Sequence, residues 1–410
     1  MSETSQREAL PAVLRRLMLG QSLSITGDTF TQVAMAVFVL KISHHSPVAL
    51  GLVLSMMYAP RLVMGWAAMG WIDRWNKRRI LLVSDGARAI LVLSIALIHT
   101  FFWTLAAVFL IYVFQMVYHP TVRSIQPVLA GSTEANRVSV ARQEQWSQAG
   151  HIIAYIAAGF LFLQFGASLG FIIDAISYVA AGLSIISLPA SLSVWQTTET
   201  KDASYSAQIR EGLHYTRSHR LIIMLIIISF VAMVGSAGSG TLLAPAMARM
   251  WHQPTAHYAW ALLAISLGIM VGAYLLEVKG SQLGLRGLLV AGFAVTGLAT
   301  LVLIALPPHL WMVMLILAIA GVGNAAFSTS IMVWLQQSLP FDIRGRVMTL
   351  RSMLMGLGGM VGSYGVGAII NHSIRLGFWA VGAVMLCCGA ILLVPWFFAA
   401  KSDAPVAASL

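Results

Sequence analysis

The sequence predicts an all-α polytopic membrane protein with twelve transmembrane helices in two six-helix halves. Three observations carry that prediction. Hydrophobic residues make up 59% of the 410-residue chain and charged residues only 10%, too little charge to cover the surface of a soluble globule. The apolar runs reach the ~20 residues that a helix needs to cross a bilayer. The basic residues gather in alternate turns, the pattern of a chain threading lipid with its cations kept on one side.

The apolar runs lie at 14–40, 48–70, 79–98, 102–130, 139–165 and 168–190 in the first half. In the second half they lie at 220–247, 255–278, 286–306, 310–338, 346–370 and 376–400. The turn after the second run, Gly70-Trp-Ile-Asp73-Arg74-Trp-Asn-Lys77-Arg78-Arg79, holds four cations and one acid and must sit at a membrane surface. The polar stretch from Ser191 to Arg220 divides six runs from six, and Ala207 to Arg220 has the pattern of a surface-lying amphipathic helix. The expected domains are an N-terminal half at 1–190, a cytoplasmic linker at 191–219 and a C-terminal half at 220–410.

Of the 25 Lys and Arg residues, 21 fall in the even-numbered turns, the central loop and the termini, Arg88 being counted with them. Lys41, Arg249 and Arg375 fall on the other side, and Arg61 alone falls deep inside a span. This asymmetry places both termini in the cytoplasm. The segment Met1 to Glu8 is polar and mixed in charge, unlike a cleavable leader, so the first run is expected to stay as a helix.

The formal charge of +11 does not indicate nucleic-acid binding, because the cations sit in turns and form no single soluble face. Cys387 and Cys388 are neighbours on a helix, about 100° apart, which disfavours a disulfide or a metal site. No phosphate loop or metal-ligand spacing occurs, Ser84-Asp-Gly86 lying at a helix start. The sequence therefore predicts neither an enzyme nor a cofactor or metal, and a monomer in a bilayer.

The halves resemble each other where charge meets membrane. Arg79-Ile-Leu-Leu-Val83 recurs 207 residues later as Arg286-Gly-Leu-Leu-Val290. Arg137-Val138, Arg142 and Gly150 recur 209 residues later as Arg346-Val347, Arg351 and Gly359. Two turns with nearly one offset indicate a parallel duplication, an arrangement associated with alternating access around a midplane cavity.

Gly70-x-x-Asp73-Arg74 with Lys77, Arg78 and Arg79 resembles the loop signature that follows helix two in the major facilitator superfamily. Four further stretches are similar to the branch of macrolide-efflux proteins and the enterobactin exporter. They are Leu19 to Asp28, Phe171-Ile-Ile-Asp174-Ala-Ile-Ser-Tyr178, Ile209 to Tyr215 and Asp342-Ile-Arg-Gly-Arg-Val347. The resemblance implies the major facilitator fold and a bacterial inner-membrane exporter. One departure is in helix five, where Gly150 to Gly159 keeps the glycines of the exporter signature but has no proline.

The resemblance assigns gating to the basic turn, so Gly70, Asp73, Arg74, Lys77 and Arg78 are candidate gate residues, with Arg142, Arg346 and Arg351 in the later turns. A purely topogenic cluster would need only the cations. Asp28 is the candidate for proton coupling. It lies 14 residues into the first run, ~21 Å, and an intramembrane carboxylate is costly unless it is paired, hydrated or protonated. A simple packing role, held by Thr26 or Thr29, is the alternative.

Arg61 is a possible partner of Asp28, or a side chain snorkelling to the inner surface. His119 and His151 fall near mid-depth and could relay protons or merely hydrogen-bond a neighbour. Asp174 matches the branch pattern and suits an outer-gate hydrogen bond. Gln32, Tyr58, Gln115, Tyr118, Asn324, Phe327 and Trp334 could line a substrate cavity, and each could equally pack between helices. Glu277 lies near a helix end, so the second half offers no deep acid. Glycine-dense helix eleven, from Gly356 to Gly367, predicts close packing that permits rocking.

These features favour a proton-coupled antiporter exporting hydrophobic or amphiphilic small molecules such as drugs, macrolides or siderophores. Uptake or metabolite exchange is the alternative within the same fold, and a transport-inactive sensor or assembly factor the alternative outside it.

Overall fold

The computed structural model describes residues 10–62, 76–187, 205–305 and 309–393. Gly70, Asp73 and Arg74 of the basic turn, the second part of helix two, most of the central linker and the tail beyond 393 lie outside the described residues. Among the described residues all regular structure is helical.

The helices are α1 (Ala12–Ile42), α2 (Pro47–Met56), α3 (Lys77–Leu97), α4 (Phe101–Ala130), α5 (Thr133–Phe165) and α6 (Ser168–Ile186). They continue as α7 (Tyr205–Ser218), α8 (Arg220–Arg249), α9 (Tyr258–Val302), α10 (Leu310–Ser338), α11 (Phe341–His372) and α12 (Ile374–Ile391). Helix α9 is broken at Gly284, where φ is 64°, and so supplies two spans, Thr255–Val278 and Gly284–Val302. In all, 11 described helices are long and apolar enough to cross a membrane, and the shorter Pro47–Leu62 leads into the undescribed part of helix two.

Local chemistry fixes several boundaries. Ser46 caps α2 by accepting from the Ala49 backbone N–H at 3.3 Å, with Pro47 in the first turn. Asn76 caps α3 and Ser132 caps α5 in the same way. Gly131, at φ 72°, ends α4 in the left-handed region that a glycine enters at least cost.

The helices group into two compact units. One comprises Met1–Met35 and Ala67–Glu199, the other Ala36–Trp66 and Thr200–Leu410. In this grouping the end of α1 and α2 go with the C-terminal helices. The reason is a seam of small residues inside the second unit. A Cβ on Gly51 would sit 2.4 Å from the Ser363 carbonyl oxygen, and the Ser55 hydroxyl donates to the Met360 carbonyl at 3.1 Å.

Helix α11 makes the close contacts its glycines predict. Cβ atoms on Gly358 and Gly362 would meet the carbonyls of Phe230 and Val234 on α8 at 2.7 and 2.2 Å, whereas Gly365 has open space. The amphipathic segment forms α7 and is tied to α11 by an ion pair between Glu211 and Arg346.

The duplication is visible as a repeated clasp within each unit. In the first, Arg78 at the start of α3 donates to the Ile186 carbonyl at the end of α6, 2.7 Å away. In the second, Arg286 donates from Nε and Nη2 to the Leu392 carbonyl after α12, at 3.2 and 3.0 Å. Both cations serve carbonyls that the helix itself leaves without partners, at its negative end. The structural counterpart of Arg286 is thus Arg78, one residue before the Arg79 that the sequence pattern aligns with it.

Backbone contact between α9 and α10 sets a limit that a substitution can test. A Cβ on Gly268 would lie 1.9 Å from the Ala318 carbonyl oxygen, and backbone cannot yield as a side chain can. Gly268→Leu is expected to lower the melting temperature in detergent and broaden the size-exclusion peak. Gly365→Ala is expected to leave both unchanged.

Candidate functional site

Helix α3 carries the charge around which the first unit is organised. Asp85 and Arg88 are three apart and therefore share one helix face. Their side chains form an ion pair, and the residues are only 1% and 0% exposed. A guanidinium in an apolar interior needs both a counter-charge and donors satisfied. Arg88 meets that need through Asp85, through the Ser84 carbonyl at 3.4 Å, and through two aromatic rings. Its Cζ lies 4.3 Å from the ring centres of both Tyr118 on α4 and Tyr178 on α6, within cation–π range.

Tyr178 extends the cluster to α1. Its hydroxyl donates to Asp28 Oδ1, and Gln115 Nε2 on α4 donates to Asp28 Oδ2 at 3.3 Å. Asp28 is half-buried, whereas Asp85 and Asp174 are closed off. Asp174 accepts from the Thr31 hydroxyl at 2.6 Å and from the Ser177 hydroxyl at 3.1 Å. Gly27 makes that approach possible, since a Cβ there would lie 2.4 Å from Asp174 Oδ1.

Next to Asp28 in sequence, Thr29 donates its hydroxyl proton to the Ile25 carbonyl at 2.9 Å and contacts His151 Nδ1 at 2.6 Å. His119 is exposed and interacts electrostatically with Asp28, Arg88 and Arg123. The arrangement therefore gathers three carboxylates, one guanidinium, two tyrosines and two imidazoles, with Asp28 the carboxylate that remains open.

The sequence-predicted residues divide clearly. Asp28, Gln115, Tyr118, His119 and His151 come together, and Gln32 is exposed with the Tyr155 hydroxyl 3.4 Å away. Within the first unit the guanidinium nearest Asp28 among the described contacts is that of Arg88, and Arg61 belongs to the second unit. Arg61 lies 5.5 Å over the Tyr58 ring, while Arg88 is linked to Asp28 through Tyr178.

Tyr118 and Phe327 are packed shut at 3% and 4% exposed. Tyr118 lies against Arg88, and Phe327 stacks on Phe293 at 4.5 Å. Trp334 packs against the core of the second unit, and Asn324 is half-buried. Arg351 bonds Ser229 at 2.9 Å and Arg346 pairs with Glu211, while Lys77 and Arg142 are half-buried. Arg88 is also a correction to the charge count, being a buried helix residue and no part of a turn.

Sequence reasoning missed Asp85, Arg88, Thr31 and Tyr178. The i,i+3 spacing of opposite charges in a span was the available signal for the first two. Comparison with known proteins identifies the family. The family model described as Major Facilitator Superfamily matches residues 17–237 and again 225–409. The chain belongs to this superfamily.

Solved structures agree on the fold. The nucleoside transporter NupG superposes with a TM-score of 0.78 at 13% identity, over 95% of this chain and 100% of that one. A bacterial homologue of the iron transporter ferroportin, in an inward-facing state, gives 0.77 at 14% identity over 95% and 100%. A bacterial homologue of the human lysosomal transporter Spinster gives 0.68 at 14% identity over 95% and 97%. Identities this low speak for the fold alone. This member of the superfamily is thus a transporter, and its apolar helices place it in a membrane.

Removing one partner of a buried ion pair costs roughly 3–5 kcal/mol, while removing both together can be nearly neutral. Arg88→Met is therefore expected to lower the melting temperature of the detergent-purified protein strongly. Asp85→Asn combined with Arg88→Met is expected to recover most of that loss. Equal melting temperatures for the single and double variants would contradict a paired role.

Proposed function

We propose that this superfamily member is a proton-coupled antiporter that exports hydrophobic or amphiphilic small molecules by alternating access. The observation that carries the reading is the state of Asp28. Three carboxylates, Asp28, Asp85 and Asp174, stand within electrostatic reach of Arg88, the one guanidinium enclosed with them among the described residues of the first unit. Full ionisation would leave two uncompensated negative charges there, which protons can balance. Asp85 is committed to Arg88, and Asp174 is held by Thr31 and Ser177. That leaves Asp28, half-buried and held by Tyr178 and Gln115, as the carboxylate able to load and release a proton.

In this mechanism the hydroxyl of Tyr178 is a positioning group. It fixes the carboxylate of Asp28 while its ring lies beside Arg88. His119 and His151 supply a short polar route past the carboxylate. A substrate entering the protonated site would displace the proton by bringing polar or cationic character of its own. The cavity candidates read from the sequence, Gln32, Tyr58, Gln115, Asn324 and Trp334, include no charged side chain, which favours a lipophilic cargo over a sugar or peptide. Gly70, Asp73, Arg74, Lys77, Arg78, Arg142, Arg346 and Arg351 would gate the cytoplasmic face.

We assign the protein to a bacterial plasma membrane with both termini in the cytoplasm, because the sequence gathers 21 of 25 cations on one side, and 20 remain there once the buried Arg88 is set apart. Uptake is the second reading, since α5 carries no proline between Gly150 and Gly159. The same fold carries nucleosides in one solved neighbour and peptides in another, and occurs in a homologue of an iron transporter.

A compound-panel accumulation assay in an efflux-deficient bacterial host tests the reading. Wild type is expected to lower the accumulation of some lipophilic compound, and an uncoupler to abolish the effect. Asp28→Asn is expected to lose proton-driven export while retaining substrate exchange in proteoliposomes. Unchanged uphill export by Asp28→Asn would refute the coupling assignment, and protein-driven inward accumulation would favour uptake.

A further inference from the structure

A groove of about 460 Å³ runs between α1 and α6 of the first unit, and none of the three carboxylates lines it. Its walls are Leu19, Leu23 and Leu183, which are 56%, 48% and 62% exposed. Its floor is Gly20, where a Cβ would meet the Ser184 hydroxyl at 2.2 Å, so the helices touch there and splay around it. Arg16 closes one end, beside Ser184 and Ser187.

The two ends of the groove differ in chemistry. Leu19 and Leu23 follow Arg16 by up to seven residues, giving an apolar trough ~10 Å long. At the polar end, Arg15 and Arg16 are both exposed near the start of α1, whose N-terminal end is positive. The opposing helix ends there too, and its negative end would ordinarily repel an anion. Arg78 covers it by donating to the Ile186 carbonyl at 2.7 Å. The hydroxyls of Ser184 and Ser187 donate to carbonyls of their own helix, at 2.7 and 2.6 Å. They keep no proton for a ligand, so Arg16 is the lining residue that can recognise charge.

We propose that this groove is a binding site for an anionic phospholipid, with its phosphate against Arg16 and the upper part of one acyl chain along Leu19, Leu23 and Leu183. Basic pockets between membrane helices are suited to anionic headgroups, and the leucine walls select a chain-bearing phosphate over a free one. The site is independent of the transport reading.

Native mass spectrometry and thermal melting of the purified full chain, released from detergent with defined additives, test the proposal. Dioleoylphosphatidylglycerol is expected to remain bound and to raise the melting temperature more than dioleoylphosphatidylcholine, with glycerol phosphate giving no shift. Arg16→Gln is expected to weaken phosphatidylglycerol retention about fivefold, the worth of one cation near an anionic surface. Arg137→Gln, at an exposed arginine paired with Glu134, is expected to leave retention unchanged. Equal retention of both lipids, an equal loss in the two arginine variants, or a shift with glycerol phosphate alone would overturn it.

Discussion

A guanidinium buried among apolar helices is the constraint on which the first unit depends. Arg88 is fully enclosed, and water cannot stabilise its charge. Every element near it supplies something that makes the burial tolerable. Helix α3 supplies Asp85, α4 brings Tyr118 and α6 brings Tyr178. Because Tyr178 also bonds Asp28, the packing around Arg88 fixes where the open carboxylate stands on α1. Structure and chemistry are joined at one phenol.

Helix approach makes this geometry possible. Gly27 lets α1 close on α6 so that Thr31 reaches Asp174, and Gly150 lets α5 close on α1, where a Cβ would lie 2.2 Å from the Thr26 hydroxyl. Between apolar helices in lipid, such small-residue contacts replace the hydrophobic drive that water would provide. The same device operates in the second unit, where α11 meets α8 and α2 through glycines. Its polar inventory differs, however, and among its described residues no carboxylate is enclosed as Asp174 is.

The fold was legible in the sequence because bilayer thickness, the cost of charge in hydrocarbon and the doubling of the chain all leave marks on composition. Asp28 was legible as an acid deep in an apolar run, and it stands in the polar cluster of the first unit. Arg88 was not, because counting cations by turn takes no account of depth. It lies 11 residues beyond Lys77, ~17 Å along the helix, too far in for a turn residue. Its partnership with Tyr178 was hidden for another reason, since aromatic residues in spans are common and only three-dimensional proximity shows which one meets a cation.

The paired clasp of Arg78 with Ile186 and Arg286 with Leu392 bears on how such a machine arose and how it bends. A lock found at the same station in both copies is most simply a legacy of the single ancestor, which already had its third helix bolted to its sixth. Each copy keeps that tie between its third and sixth helices, so any movement that parted the two would have to break it first.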